Sequence, residues 1–155
     1  MRKLLLLIPL FILFNCGPEA NKFKRTYIIE NSLNRTVELK FYDRRTDELK
    51  SRNFNILSGN QDRLQGTIEQ TSPFNQTSDK AILSAVFGAD SLRMIFDNTK
   101  LATQVFFTSS ETFSEPVNRN VFLNTNYEAI GNDRFLFKIT EKDYENATPC
   151  NGDCE

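Results

Sequence analysis

Three cysteines, Cys16, Cys150 and Cys154, are the most reactive side chains in a 155-residue chain that contains no histidine. The missing imidazole excludes Ser-His-Asp and Cys-His nucleophile systems. It excludes HExxH and other His-ligated catalytic zinc sites as well. No GxSxG, GxxxxGK or GxGxxG is present, and no serine is followed three residues later by lysine. Nucleophile-elbow, P-loop, dinucleotide and serine β-lactamase motifs are therefore missing. A pair of carboxylates can hydrolyse glycosides without histidine, but carboxylate spacing across strands is not legible in one sequence. The expectation is a non-enzyme with no catalytic residues, no cofactor and no metal.

Cys150 and Cys154 stand as Cys-x-x-x-Cys near the C-terminus. In an exported chain two thiols this close oxidise to a disulfide. A metal site would need about four ligands, and no histidine is available to help two thiolates. A local bridge is expected, with an intermolecular one as the alternative. Asp143, Glu145, Asp153 and Glu155 lie nearby without EF-hand spacing, and read as a solvated acidic tail.

Cys16 has a different setting. Arg2 and Lys3 precede an unbroken apolar run from Leu4 to Phe14, which matches the n-region and h-region of a secretory signal. Eleven helical residues reach only about 17 Å, and a hydrocarbon core is about 30 Å thick. Pro9 would also disturb a helix in mid-run. A membrane span is therefore not expected. The segment Leu13-Phe14-Asn15-Cys16-Gly17 resembles a lipobox, in which the chain is cut before a cysteine that then carries lipid. Phe14 and Asn15 are bulkier than usual for such a box, and an ordinary cut near Pro18-Glu19-Ala20 is the alternative. Lipid on Cys16 makes chemical sense, because two or more acyl chains anchor stably where one is marginal.

The domain reading follows: a signal peptide at 1–15, the lipidated Cys16 and tether at 16–23, a β-domain at 24–148 and a Cys-containing tail at 149–155. Removing residues 1–15 takes away Arg2 and Lys3 and no acid, so the net charge moves from −1 to −3. Nothing in that balance suggests a nucleic-acid surface.

The elements that must carry any site are short and alternate with period two. Tyr27 and Ile29, then Val37, Leu39 and Phe41, then Leu92, Met94 and Phe96 are clear examples. Leu101, Thr103 and Val105 alternate similarly, Ala81–Phe87 is a short apolar run, and Phe135, Phe137 and Ile139 close the series. Burial on one face favours three-residue loops at Gly59-Asn60-Gln61, pairing Ile56 with Leu64, and at Gly131-Asn132-Asp133, pairing Ala129 with Phe135. About seven to nine such strands predict an all-β antiparallel sandwich, immunoglobulin-like in form. A short terminal helix is predicted over Glu141–Ala147, with Thr140 as its cap. Long loops at 69–80 and 109–120 carry Pro73, Phe74 and Phe113 as candidate binding residues. The alternative is that the two phenylalanines fold back onto the ends of the sandwich.

Four phrases together resemble a group of small lipoproteins from Bacteroidota: Tyr27–Asn31, Asp90–Asp97, Arg119–Phe122 and Ile139–Ala147. The resemblance implies a lipid anchor and a β-rich domain, and brings no catalytic or binding residues. The expected role is a binding or interaction module of the cell envelope. It would be lipid-anchored, with the outer membrane as the expected site, and would have an envelope protein or glycan as partner. An inhibitor or immunity protein against an envelope hydrolase is the second reading, and a carboxylate-based glycan-active enzyme is the third.

Overall fold

Alternation becomes architecture in a computed structural model that describes residues 20–43, 48–59, 61–73, 79–106, 119–150 and 154. The strands are β1 (Phe23–Asn31), β2 (Val37–Asp43), β3 (Glu48–Leu57), β4 (Asp62–Gln70), β5 (Ser91–Phe96) and β6 (Lys100–Val105). β7 (Glu128–Ala129), β8 (Arg134–Ile139) and β9 (Thr148–Pro149) complete the set. Among the described residues two short α-helices, α1 (Asp79–Phe87) and α2 (Glu141–Glu145), and a single 3-10 turn at Asn124–Asn126 accompany them. Among the described residues no helix is long and apolar enough to cross a membrane.

The strands form two sheets, ordered β4-β1-β8-β7 and β3-β2-β5-β6-β9. All pairs are antiparallel except β1 and β8, which run parallel from Thr26 with Arg134 to Asn31 with Ile139. The fold is therefore an all-β sandwich. Tyr27 and Ile29 from β1, Val37, Leu39 and Phe41 from β2, Leu92, Met94 and Phe96 from β5, and Phe137 and Ile139 from β8 are all at most 1% exposed and form one core. Inward faces of two packed sheets interdigitate in this way.

The Gly131-Asn132-Asp133 loop has the predicted length and register, with Ala129 opposite Phe135. Ile130 N–H donates to Arg134 O and Arg134 N–H donates to Gly131 O. All three loop residues have positive φ, at 86°, 52° and 52°. Asn and Asp tolerate that region better than other side chains.

The predicted hairpin at Gly59 is not formed. β3 pairs with β2, and β4 pairs with β1, so the chain crosses from one sheet to the other there. Ile56 is 56% exposed, and its neighbour Leu57 is the buried one. The cause is a polar staple. Buried Asn31 donates through Nδ2 to Arg35 O (2.7 Å) and to Leu57 O (2.9 Å), and its Oδ1 accepts from Leu33 N–H. Gln61 N–H donates to Asn31 O. Both sheet-crossing loops, 31–36 and 58–61, are thus tied to one residue. Gly59 sits where an added Cβ would lie 2.5 Å from Leu33 O.

Ala81–Phe87 is likewise not a strand but the body of α1. Leu83, Val86 and Phe87 recur at helical spacing and face the core. Gly88, at φ 62°, ends the helix, and Ala89 N–H donates back to Ser84 O in a Schellman arrangement. α1 closes one end of the sandwich. Phe87 stacks on Phe41 at 5.1 Å, and Val86 lies over Gly66 of β4.

On β6 the alternating set points outward. Ala102 is paired with Met94 and Gln104 with Leu92, so these face inward, while Leu101 pairs with Ile95 on the outer face. The predicted terminal helix is present, ending at Glu145, and its Tyr144 ring is held at the opposite end of the sandwich from α1. The Arg35 guanidinium lies 3.7 Å from that ring centre, Lys100 Nζ lies 4.3 Å from it, and Phe96 meets it edge-on.

Candidate binding pocket

Helix α2 needs its first turn satisfied, and Asp143 does this from the third helical position. Its Oδ2 accepts from Thr140 N–H (2.8 Å) and from the Thr140 hydroxyl (2.8 Å), one half of a capping box. The same oxygen accepts from Arg119 Nη1 at 2.9 Å. Asp143 is only 9% exposed, so the guanidinium offsets a charge that burial alone would disfavour. The acid predicted to belong to a solvated tail is thus inside an ion pair.

Arg119 is itself fixed. Nη1 also donates to Thr140 Oγ1, Nη2 donates to Lys138 O at 2.7 Å, and the guanidinium lies 4.6 Å from the centre of the Phe137 ring. Its backbone is held by Gln104, whose Nε2 donates to Arg119 O while its Oε1 accepts from Val121 N–H at 2.7 Å. Asn120 bridges Val105 O and Phe122 N–H, and the Tyr127 hydroxyl donates to Val121 O. Burial pushes the Tyr127 phenol well above its ordinary pKa, with the neighbouring Tyr27 adding to the shift.

These groups frame a pocket of about 210 Å³ at the side of the sandwich, between β6 and α2. Arg119, Asp143 and Gln104 line it together with Thr103, Asn146 and Thr148, and Ala102 and the buried Met94 lie behind them. Asp143 is the one carboxylate in that lining among the described residues, whereas two-carboxylate glycoside chemistry needs a pair. The arrangement can donate, accept and orient. A second depression, about 320 Å³, is more open and has Thr36, Glu38, Ile56 and Ile95 in its wall.

Of the residues predicted to matter, Cys150 and Cys154 are joined, with their Cα atoms 5.2 Å apart. Cys154 is buried, and Cys150 N–H donates to Thr99 O beside β9. Pro149 and Cys150 therefore lie along the second sheet's edge. Pro73 is exposed just after β4. Cys16, Phe74 and Phe113 lie outside the described residues. Arg119 was not singled out by chemistry in the sequence, and Asp143 entered only as part of the acidic tail. Their signal is indirect: Arg119–Phe122 and Ile139–Ala147 are two of the phrases that carry the lipoprotein resemblance, and the fold brings them together. Compared with protein-family models, curated proteins and solved structures, the chain finds no match in any of the three.

Proposed function

We propose that this chain is an exported lipoprotein, held to a membrane by lipid on Cys16, whose β-sandwich is a binding module of the cell envelope. The observation that carries the binding role is the pocket, where a guanidinium and a carboxylate are locked in place before any ligand arrives. Binding gains affinity when recognition groups are ordered in advance. The joined Cys150 and Cys154 support export, because structural disulfides persist in oxidising compartments. The apolar run ending at Cys16 supports the anchor.

Two measurements test this. Labelled fatty acid should enter the wild-type chain, and Cys16→Ser should abolish labelling and release the protein from membranes. A Ser variant that stays with the membrane would show that the N-terminal segment anchors without processing. For the binding role, amide-resolved NMR of the full chain in detergent should show shifts at Thr103, Gln104 and Asn146 on adding fractionated envelope extract. A spectrum that no fraction moves would overturn the binding module.

A further inference from the structure

Resting on the binding-module reading, we infer that the Arg119–Asp143 pocket takes a neutral sugar unit, with neighbouring hydroxyls of one ring engaging both side chains. The first reason is the pairing of donor and acceptor. Arginine has five N–H groups, and among the described residues Arg119 makes three hydrogen bonds. Asp143 Oδ2 accepts three hydrogen bonds, while among the described residues Oδ1 accepts none. The site therefore offers spare donors beside a spare acceptor. A hydroxyl both donates and accepts, so two adjacent hydroxyls satisfy such a pair.

Charge narrows the class. The guanidinium and carboxylate sum to zero, so an anion would meet Asp143 and a cation would meet Arg119. Thr103, Thr148 and Asn146 also line the pocket, and hydroxyl and amide side chains can both donate and accept. Ala102, partly exposed, gives a small apolar spot for the C–H face of a ring. Size agrees. About 210 Å³ is below the roughly 300–1,000 Å³ of drug-sized sites, which suits one ring and not an extended chain.

The test titrates the full chain in detergent with methyl glycosides of glucose, galactose, mannose and N-acetylglucosamine, and separately with acetate, phosphate and acetamide. At least one glycoside should move the Thr103, Gln104 and Asn146 amides saturably, with an apparent Kd on the order of 1 mM. Thr103→Val keeps a β-branched residue in its strand and removes one hydroxyl. It should leave the melting temperature unchanged and weaken glycoside binding by about tenfold, the size of one hydrogen bond. Arg119→Lys keeps the charge and loses the planar fork, so it should weaken binding further. Undiminished binding in both variants overturns the assignment. If acetate, phosphate or acetamide occupies the pocket while the glycosides do not, the sugar class is wrong and the binding module stands. If every small probe is silent but an envelope fraction moves these amides, the same conclusion holds. Silence toward probes and fractions alike overturns both readings.

Discussion

Asn31 holds together two loops that are distant in the sequence, and its removal should show how the sheets are joined. Asn31→Ala strips partners from Arg35 O, Leu57 O and Leu33 N–H. Each buried polar group left unpaired costs about 1–3 kcal/mol, so a urea melt should show severe loss of stability. A shift within the range of an ordinary surface change would deny Asn31 its role. Phe137 is a simpler case, since its alternation with Phe135 and Ile139 already marked it as interior, and it is fully buried. Phe137→Ala should cost about 3–5 kcal/mol. Lys138→Ala, whose exposed ammonium reaches Glu128 at the surface, should stay within about 0.5 kcal/mol. Tyr127 sets an alkaline limit. Its folded pKa lies above the unfolded value of about 10, so its stabilisation is complete below that pH and is lost as pH rises through the folded value. Stability measured from pH 8 upward should fall above about pH 10, and Tyr127→Phe should flatten that fall. An unchanged slope would assign alkaline loss to other groups.

α1 shows where an element escapes reading by pattern. A short apolar run does not distinguish a buried strand from a buried helix segment by periodicity alone. The decisive facts are non-local. Gly66 leaves the space that Val86 fills, and Gly88 supplies the positive φ that ends the helix. The mistaken hairpin at Gly59 has the same origin, because local facing of Ile56 and Leu64 could not reveal that Asn31 draws the loop across the sandwich. By contrast, the three-residue loop at Gly131 and the Thr140 cap were legible, since both depend on neighbours a few residues apart. The Arg119–Asp143 pair was not, because it joins positions 24 residues apart through the packing of β8 and α2. Gly66→Ala should overpack the α1 seat and cost about 1–3 kcal/mol. In a Val86→Ala background that cost should shrink, and strictly additive effects would show that the helix does not press on Gly66. The disulfide is a smaller element. Replacing Cys150 and Cys154 by Ser opens a loop of about five residues, worth at most about 2 kcal/mol. The melting temperature should drop by only a few degrees, and collapse of the fold would make the bridge central.

At the scale of the whole molecule, the two ends of the sandwich differ. β1 begins at Phe23, paired with Gln70, at the end closed by α1, and Pro73 and Phe106 lie at that end as well. The Asn31 loops, the β5–β6 turn and α2 lie at the other. Nine residues of β1 at about 3.3 Å each separate the ends by about 30 Å. Under the proposed anchor, a tether from Cys16 therefore joins the end where Pro73 and Phe106 lie. Paramagnetic lipid headgroups in vesicles should broaden amides near Phe23 and Phe106 more than those of Asp97–Thr99, and the reverse order would invert this orientation. The parallel pairing of β1 with β8 has a kinetic consequence. Thr26 and Arg134 meet across 108 positions, which raises the contact order, and all-β domains of high contact order fold in roughly milliseconds to seconds. A chain emerging N-terminus first holds β1 with one ladder edge vacant until nearly everything else has been made. Under the proposed export, delayed closure of this kind would keep the chain pliable while it threads a narrow channel, and the sandwich would form on the far side.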